Sequence, residues 1–560
     1  MRIVLAQQNY HIGNIAYNTA KIIKAIESAA AEQADMIIFP ELAICGYPPR
    51  DILYFEAFLE QCRDSISRLL PYSGNIGILV GCPSPNPVPE GKALHNSAYF
   101  LYEGAIQQVI HKTLLPTYDV FDEYRYFEPA TVHEILHFKG KKIAVTICED
   151  IWDIEPDPMY NYAPLDRLSE QAPDFIVNLS ASPFNYNHEL NRKVVLKHNT
   201  RKYGLPLLYC NCTGSQTEII FDGGSLVFDR QGNQLLELPQ FEEALATVTI
   251  DDANNIALPV EIPDGEIPDE LYTPFTLQPG YNIGNIHKAL VYGIREYFTK
   301  MGFRKALVAS SGGIDSAVTL ALACEALGPE NVHALLLPSQ YSSDHSVTDA
   351  VQLSENLGNP YDILSVKDIY FSVADTLAPI FKDLAADVTE ENIQSRIRGL
   401  LSMALCNKFN YILLNTSNKS ELSTGYGTLY GDMAGGLGVL GDLYKQQVYA
   451  LARYINTTRD IIPVHIIEKA PSAELRPDQK DTDSLPEYEI LDNILYQYID
   501  RFRGTDDIVR NGYDEALVRK TLRMVNQNEY KRNQFCPVIR VSSKAFGPGR
   551  RIPIVSQFTV

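Results

Sequence analysis

Long apolar runs are missing from this sequence. No stretch of about 18 apolar residues occurs, and the start, MRIVLAQQNYHIGN, has no basic segment leading into an apolar one. Neither a membrane span nor a secretory leader is expected, and a soluble, cytoplasmic protein is. Positive charge is also scarce, since 48 Lys and Arg against 69 Asp and Glu leave a formal charge of −21. Such a surface repels phosphate backbones. Basic residues gather only in YKRNQF and GPGRRIP near the C-terminus, which read as a solvated face, so no nucleic-acid partner is expected. The nine cysteines are odd in number and scattered, which suits thiols better than a disulfide framework. Cys210 and Cys212 form a lone C-x-C without the second pair that a zinc site needs.

At 560 residues the chain exceeds the roughly 250–300 residues at which a single core stops growing. Short apolar runs alternate with amphipathic stretches such as NTAKIIKAIESAAAEQ and IHKALVYGIREYFTKMG, which predicts α/β structure on both sides of a division. Residues 251–283, rich in Pro, Asp and Glu and without a sustained period, read as the connection. The expected domains are 1–250 and 284–560.

Three strand-like runs in the first half end in reactive side chains. DMIIFPE delivers Glu41, QQVIHK delivers Lys112 and KKIAVTICED delivers Cys148. Taken singly, the cysteine reads as a small buried hydrophobe and the charges as solvated loop residues. Functional groups in α/β proteins gather at the carboxyl ends of strands, so the three could share a pocket. Together they suffice to attack an amide: a carboxylate takes the thiol proton, the thiolate attacks the carbonyl, and an ammonium holds the oxyanion.

The text FPELAICGY, HKTLLPTYDVFDEYRYF and IAVTICEDIW, in that order, resembles the nitrilase (carbon–nitrogen hydrolase) superfamily over about residues 1–250. The resemblance implies an αββα sandwich with Cys148 as nucleophile, Glu41 as general base and Lys112 as oxyanion stabiliser. Glu123 falls where the superfamily often carries a second glutamate; a pairing with Arg125 is the alternative. In the glutaminases of that family Tyr118 and Ser182 match positions that hold glutamine, and His188 stands where a lysine is expected.

In the second half, ALVASSGGIDSAVTL runs from an apolar strand through Ser311, Gly312 and Gly313 into a helix-like pattern. Glycines permit close backbone approach to an anion, and a following helix aims free N–H groups at it. Asp315 is an odd residue to place beside phosphates. The motif lacks the Lys of a Walker loop and resembles the SGGxDS loop of the N-type ATP pyrophosphatases, which transfer AMP. In that setting a carboxylate and phosphates attract one another through Mg²⁺. Glu421, after the strand YILLN, is the second candidate ligand, and Asp315 also suits a helix cap.

Further blocks, ENIQSRIRGLLSMALCNK, TSNKSELSTGYGTLYGDMAGG, APSAELRPDQKDTDSLPEYEILD and SKAFGPGRRIPI, resemble the glutamine-dependent NAD synthetases. These also carry a nitrilase-type domain in front, and their second domain is a doubly wound, Rossmann-like α/β fold of the adenine-nucleotide α-hydrolase type. The resemblance implies that Ser311, Gly312, Gly313, Asp315, Ser316 and Thr416 bind ATP. Asn392, Arg396, Glu421 and Lys531 would face deamido-NAD⁺, with Asp432 and Lys445 as weaker candidates. ATP is then a substrate and Mg²⁺ the metal, with glutamine as the nitrogen source and a homo-oligomer built on a synthetase-domain dimer. Two other readings stay open: another glutamine-dependent AMP-forming amidotransferase, and an inactive nucleotide-binding regulatory protein. Because ammonium has no lone pair, the chemistry calls for a water-poor passage for NH₃ between the two activities.

Overall fold

The computed structural model describes residues 1–155, 157–258, 266–382, 384–477 and 479–558. Its contacts divide the chain into two compact units, Met1–Tyr272 and Thr273–Val560. Within the stretch 251–283, Ile256–Ala257 is an edge strand paired with Ala244–Ile250, and residues 259–265 lie outside the described residues.

The first unit is built on two sheets. One has the spatial order Ile256–Ala257, Ala244–Ile250, Arg2–Gln7, Met36–Ile38, Gly77–Pro85, Leu94–Tyr102, Ala105–His111. The other runs Gln234–Glu237, Leu226–Phe228, Leu207–Asn211, Phe175–Ser180, Lys141–Ile147, Leu136–Phe138. Strand alternation explains the layering. Ile3 and Leu5 join Ile143, Val145, Phe175 and Val177 in a core between the sheets. Val4 and Ala6 point the other way, toward Ile22 and Ile26 of the helix Ile15–Ala31 and Cys62 and Ile66 of the helix Glu56–Leu69. On the far side, Ala144 and Ile176 pack against Val195 and Leu196 of the helix His188–Tyr203. Helix, sheet, sheet and helix therefore stack as the expected αββα sandwich.

The second unit carries one parallel sheet in the order Tyr361–Ile363, Val332–Leu336, Ala306–Ala309, Ile412–Asn415, Leu437–Gly438. The strands on either side of Ala306–Ala309 are reached by opposite crossovers, so the point where chain order reverses lies between it and Ile412–Asn415. That is where a doubly wound sheet opens a crevice at its carboxyl edge. Both SSGGIDS and the Glu421 segment leave the sheet there. Among the described residues no helix is long and apolar enough to cross a membrane, and all nine cysteines are free thiols.

Candidate active sites

In the first unit the three strand ends converge. Met36–Ile38 leads to Glu41 and Ala105–His111 to Lys112, both from one sheet, while Lys141–Ile147 of the other sheet leads to Cys148. Lys112 Nζ donates to Glu41 Oε1 at 2.7 Å and to Glu123 Oε1 at 2.8 Å, with the lysine side chain fully buried. Glu123 also accepts from the Tyr47 hydroxyl at 2.7 Å, while Arg125 is exposed and its nearest carboxylates among the described residues are Asp51 and Asp122, each at 4.0 Å. The pairing of Glu123 is thus with Lys112. Glu41 Oε2 accepts from the backbone N–H of Ala181 at 3.1 Å, which ties the end of one sheet to the other.

Cys148 opens a short 3₁₀ turn with φ 42°, a left-handed backbone that costs about 1–3 kcal/mol. Asp150 holds that turn, accepting from the N–H groups of Ile147 (2.9 Å), Thr113 (3.0 Å) and Leu114 (2.8 Å). The last two follow Lys112 directly, so one carboxylate fixes Cys148 and the lysine together. Burial pushes the Cys148 thiol well up, and Glu41 adds to this while Lys112 opposes it. The resting side chain is therefore a thiol. Burial alone would lower Lys112, but Glu123 and Glu41 more than reverse that and keep it an ammonium.

Beside Cys148 lies a carboxylate that the sequence reading passed over, Glu149. It accepts from the hydroxyls of Tyr118 (2.9 Å) and Tyr160 (3.1 Å). Burial raises it to about 7, against the pull of Lys112 and the two tyrosines. Its position directly after Cys148 was its one available signal. Ser182 is buried, and its hydroxyl lies 2.7 Å from His188 Nε2. The His188 ring stacks on Trp152 at 4.6 Å with an interplanar angle of 12°.

In the second unit one pocket is lined by Ser311, Gly313, Asp315, Ser316, Thr416, Glu421, Asp432 and Lys445. Gly312 turns the loop with φ +77°, and a β-carbon there would lie 2.2 Å from the Ser346 carbonyl oxygen, so only glycine fits. Ser316 Oγ donates to the Gly313 carbonyl at 3.0 Å and accepts from Ser311 N at 3.2 Å. The helix Ile314–Leu327 starts within the loop and points its first N–H groups outward.

Asp315 Oδ2 pairs with Lys445 Nζ at 2.5 Å, and Glu421 Oε1 lies 3.5 Å from the same ammonium. Asn418 caps the helix Lys419–Thr424 by accepting from Glu421 N at 3.0 Å, and its amide donates to Asp315 Oδ1 at 2.9 Å. Burial lifts Glu421 to about 8, Asp315 adding to the rise and Lys445 opposing it. Asp481, buried on the pocket wall, is a further carboxylate; its text, QKDTDS, looks like any solvated acidic run. Among the described residues no three acidic, His or Cys side chains are placed to enclose a metal. Two hard carboxylates facing a phosphate loop nevertheless fit Mg²⁺, which commonly takes one or two carboxylates and completes its shell with phosphates and water.

Asn392, Arg396 and Lys531 do not line this pocket. They meet instead on the turn that follows Glu421. Asn392 Oδ1 accepts from Thr428 at 2.6 Å, Arg396 donates to Leu429 O at 3.2 Å, and Lys531 donates to Gly425 O and Gly427 O, both at 2.8 Å. Arg398, which shares the helix Val388–Phe409 with Arg396, lines the pocket instead.

The two folds define the class: residues 2–257 match the model for carbon–nitrogen hydrolases and residues 286–535 the model for NAD synthases. Over 99% of both chains the sequence is 42% identical to a glutamine-dependent NAD(+) synthetase of a Synechocystis strain. It is 37% identical to that of Thermotoga maritima, over 100% of this chain and 99% of the relative. The chain therefore belongs to the glutamine-dependent NAD(+) synthetases. Among solved structures, the Acinetobacter baumannii enzyme in complex with ADP superimposes with a TM-score of 0.76 at 37% identity, covering 100% of this chain and 99% of that one. The Cytophaga hutchinsonii enzyme, at 20% identity, shares the fold with a TM-score of 0.82 over 100% of this chain and 98% of its own.

Proposed function

We propose that the chain converts deamido-NAD⁺ to NAD⁺ at the expense of ATP, with glutamine as the nitrogen source. The observation that carries the reading is the buried Lys112–Glu41 pair, both charges of which act on the buried Cys148 thiol, a complete set for opening an amide. Glu41 takes the Cys148 proton as sulfur attacks the glutamine side-chain carbonyl, and Lys112 donates to the oxygen as it becomes negative. Collapse of the tetrahedral adduct passes that proton to the departing nitrogen, releasing NH₃ and leaving a thioester. Water, deprotonated by Glu41, then frees glutamate. Glu149 is the counter-charge suited to the α-ammonium of glutamine, with Tyr118, Ser182 and His188 around the rest of the amino acid.

In the second unit a carboxylate cannot be amidated directly, because oxide is too poor a leaving group. Its oxygen attacks the α-phosphorus of ATP, the α–β bridging bond breaks, and pyrophosphate leaves. Ammonia then displaces AMP from the acyl adenylate. The turn at Gly312 and the helix start at Ile314 suit the phosphates, which is consistent with the ADP held by the Acinetobacter baumannii relative. Mg²⁺, held by Asp315 and Glu421, would offset the charge of the phosphate oxygens. Lys445 supplies positive charge at the same point.

The chain is proposed to act in the cytoplasm as a homo-oligomer built on its second unit. There, Ile380, Leu384, Val388, Leu400 and Met403 are 71, 78, 61, 65 and 41% exposed, more apolar surface than water ordinarily faces on neighbouring helices.

The test is to incubate wild type and Cys148→Ala with deamido-NAD⁺, ATP and Mg²⁺, with either glutamine or ammonium chloride, and to quantify NAD⁺, AMP and pyrophosphate. NAD⁺ from ammonium but not from glutamine in the variant is the expected result. No NAD⁺ from either source in wild type would overturn the assignment of the substrate.

A further inference from the structure

Asn96 lies in the strand Leu94–Tyr102 and is 1% exposed. An apolar side chain would fill such a place at lower desolvation cost. Its backbone carbonyl accepts the backbone N–H of Lys112 at 2.8 Å, so the sheet itself sets the two residues side by side. The Asn96 amide nitrogen then donates to Glu41 Oε1 at 2.7 Å and to Glu123 Oε2 at 3.2 Å. Lys112 Nζ bridges the same two carboxylates from the other side. The four groups form a closed ring, Glu41–Lys112–Glu123–Asn96.

The ring explains an otherwise costly feature. Asn96 Oδ1 is buried with no hydrogen-bond partner among the described residues. A flipped amide would aim that oxygen at two carboxylates, so the orphaned acceptor accompanies the two donated bonds. Two carboxylates around a single ammonium leave a net negative charge, and like charges at this range draw in a proton. A second lysine would cancel that charge and blunt Glu41 as a base. A neutral donor holds both oxygens while leaving the charge in place.

We propose that Asn96 is a positioning residue for amide hydrolysis, holding the Glu41 and Glu123 carboxylates apart and in place around Lys112. The inference rests on the reading of the Cys148 pocket as the glutaminase site. The groups that face the ring are Lys112, Glu41, Glu123, Tyr47, Cys148, Glu149 and Asp150, drawn from both sheets and the Glu123 turn. Burial already raises the Glu123 carboxyl against the pull of Lys112, and removing the Asn96 donor lets a proton enter it at higher pH. The acid limb of the glutaminase profile should therefore move upward, and raising the pH should restore rate.

The experiment compares wild type, Asn96→Ala and the near-isosteric Asn96→Asp in the full-length enzyme. Glutamate release is followed from about pH 5.5 to 9.5, bracketing the acid limb, and ammonium-dependent NAD⁺ synthesis is run on the same preparations. Expected are a kcat lower by about tenfold or more, a little-changed KM for glutamine, and an acid limb higher by about one unit. Asn96→Asp, which adds a third carboxylate, should be the worse of the two, and ammonium-dependent synthesis should persist in both. An unmoved acid limb in both variants overturns the proposal. So does loss of both activities together, which would make Asn96 a packing residue. Absence of glutamate release in wild type would instead sink the reading of the pocket.

Discussion

At the scale of the residue, Glu149 and Gly81 yield separate tests. Glu149 is raised by burial to about 7, so across the interval from the ordinary glutamate range to about 7 the folded chain holds a proton that the unfolded chain gives up. The carboxyl thus stabilises the fold least above that window. An incoming ammonium requires the ionised form. The KM for glutamine should therefore rise as pH falls below about 7, and Glu149→Gln should raise KM and flatten that dependence; steady-state glutaminase kinetics across pH would show it. At Gly81 a β-carbon would lie 2.3 Å from Leu42 N and 2.6 Å from Pro40 O. Gly81→Ala must push on the backbone that carries Glu41. It should abolish NAD⁺ formation from glutamine while sparing formation from ammonium, and unimpaired glutamine use would refute the dependence of Glu41 on that close approach.

At the scale of the element, the helix Lys419–Thr424 is only six residues long and depends on its cap. Asn418 both caps it and donates to Asp315. Asn418→Ala should cost about 1 kcal/mol through the cap alone. It should also lower ammonium-dependent synthesis, because Asp315 and Glu421 lose their common tether, while glutamate release continues. Calorimetry and the two half-reactions, measured on one preparation, separate these effects. Strands are handled differently. Three of them from two sheets end around one thiol, and Asp150, bonded to the N–H groups of Ile147, Thr113 and Leu114, couples the two ends that lead to Cys148 and Lys112, so that a shift in one is felt by the other.

At the scale of the whole molecule, two units with separate cores carry two halves of one reaction. Fusion of the activities argues for coupling, since unused ammonia is lost as ammonium. Glutaminase turnover should rise several-fold, within the range typical of coupled sites, when ATP and deamido-NAD⁺ are present; equal rates with and without them would sink the idea. The exposed apolar positions on the second unit give a further test. Leu400→Asp combined with Met403→Asp should lower the mass measured by light scattering. An unchanged mass would locate the subunit contact elsewhere.

Much of this was legible in the order of residues. The strand ends carrying Glu41, Lys112 and Cys148 and the turn around Gly312 are local patterns, and alternation and glycine spacing express backbone geometry directly. The αββα layering came from the resemblance to the nitrilase superfamily, and the alternation along the strands shows how it is packed. What the order of residues alone could not decide are relations across distant segments. Glu123 bonds Lys112 and not its neighbour Arg125, because the turn folds back over the sheet end. Asn392, Arg396 and Lys531 gather on the turn 425–429, outside the pocket that holds Asp315. Asn96 and Asp481 look ordinary in their own text and gain meaning only from what lies across from them. Hydrogen bonds and buried charges are set by through-space neighbours within a few ångströms, and only the tertiary fold chooses those neighbours.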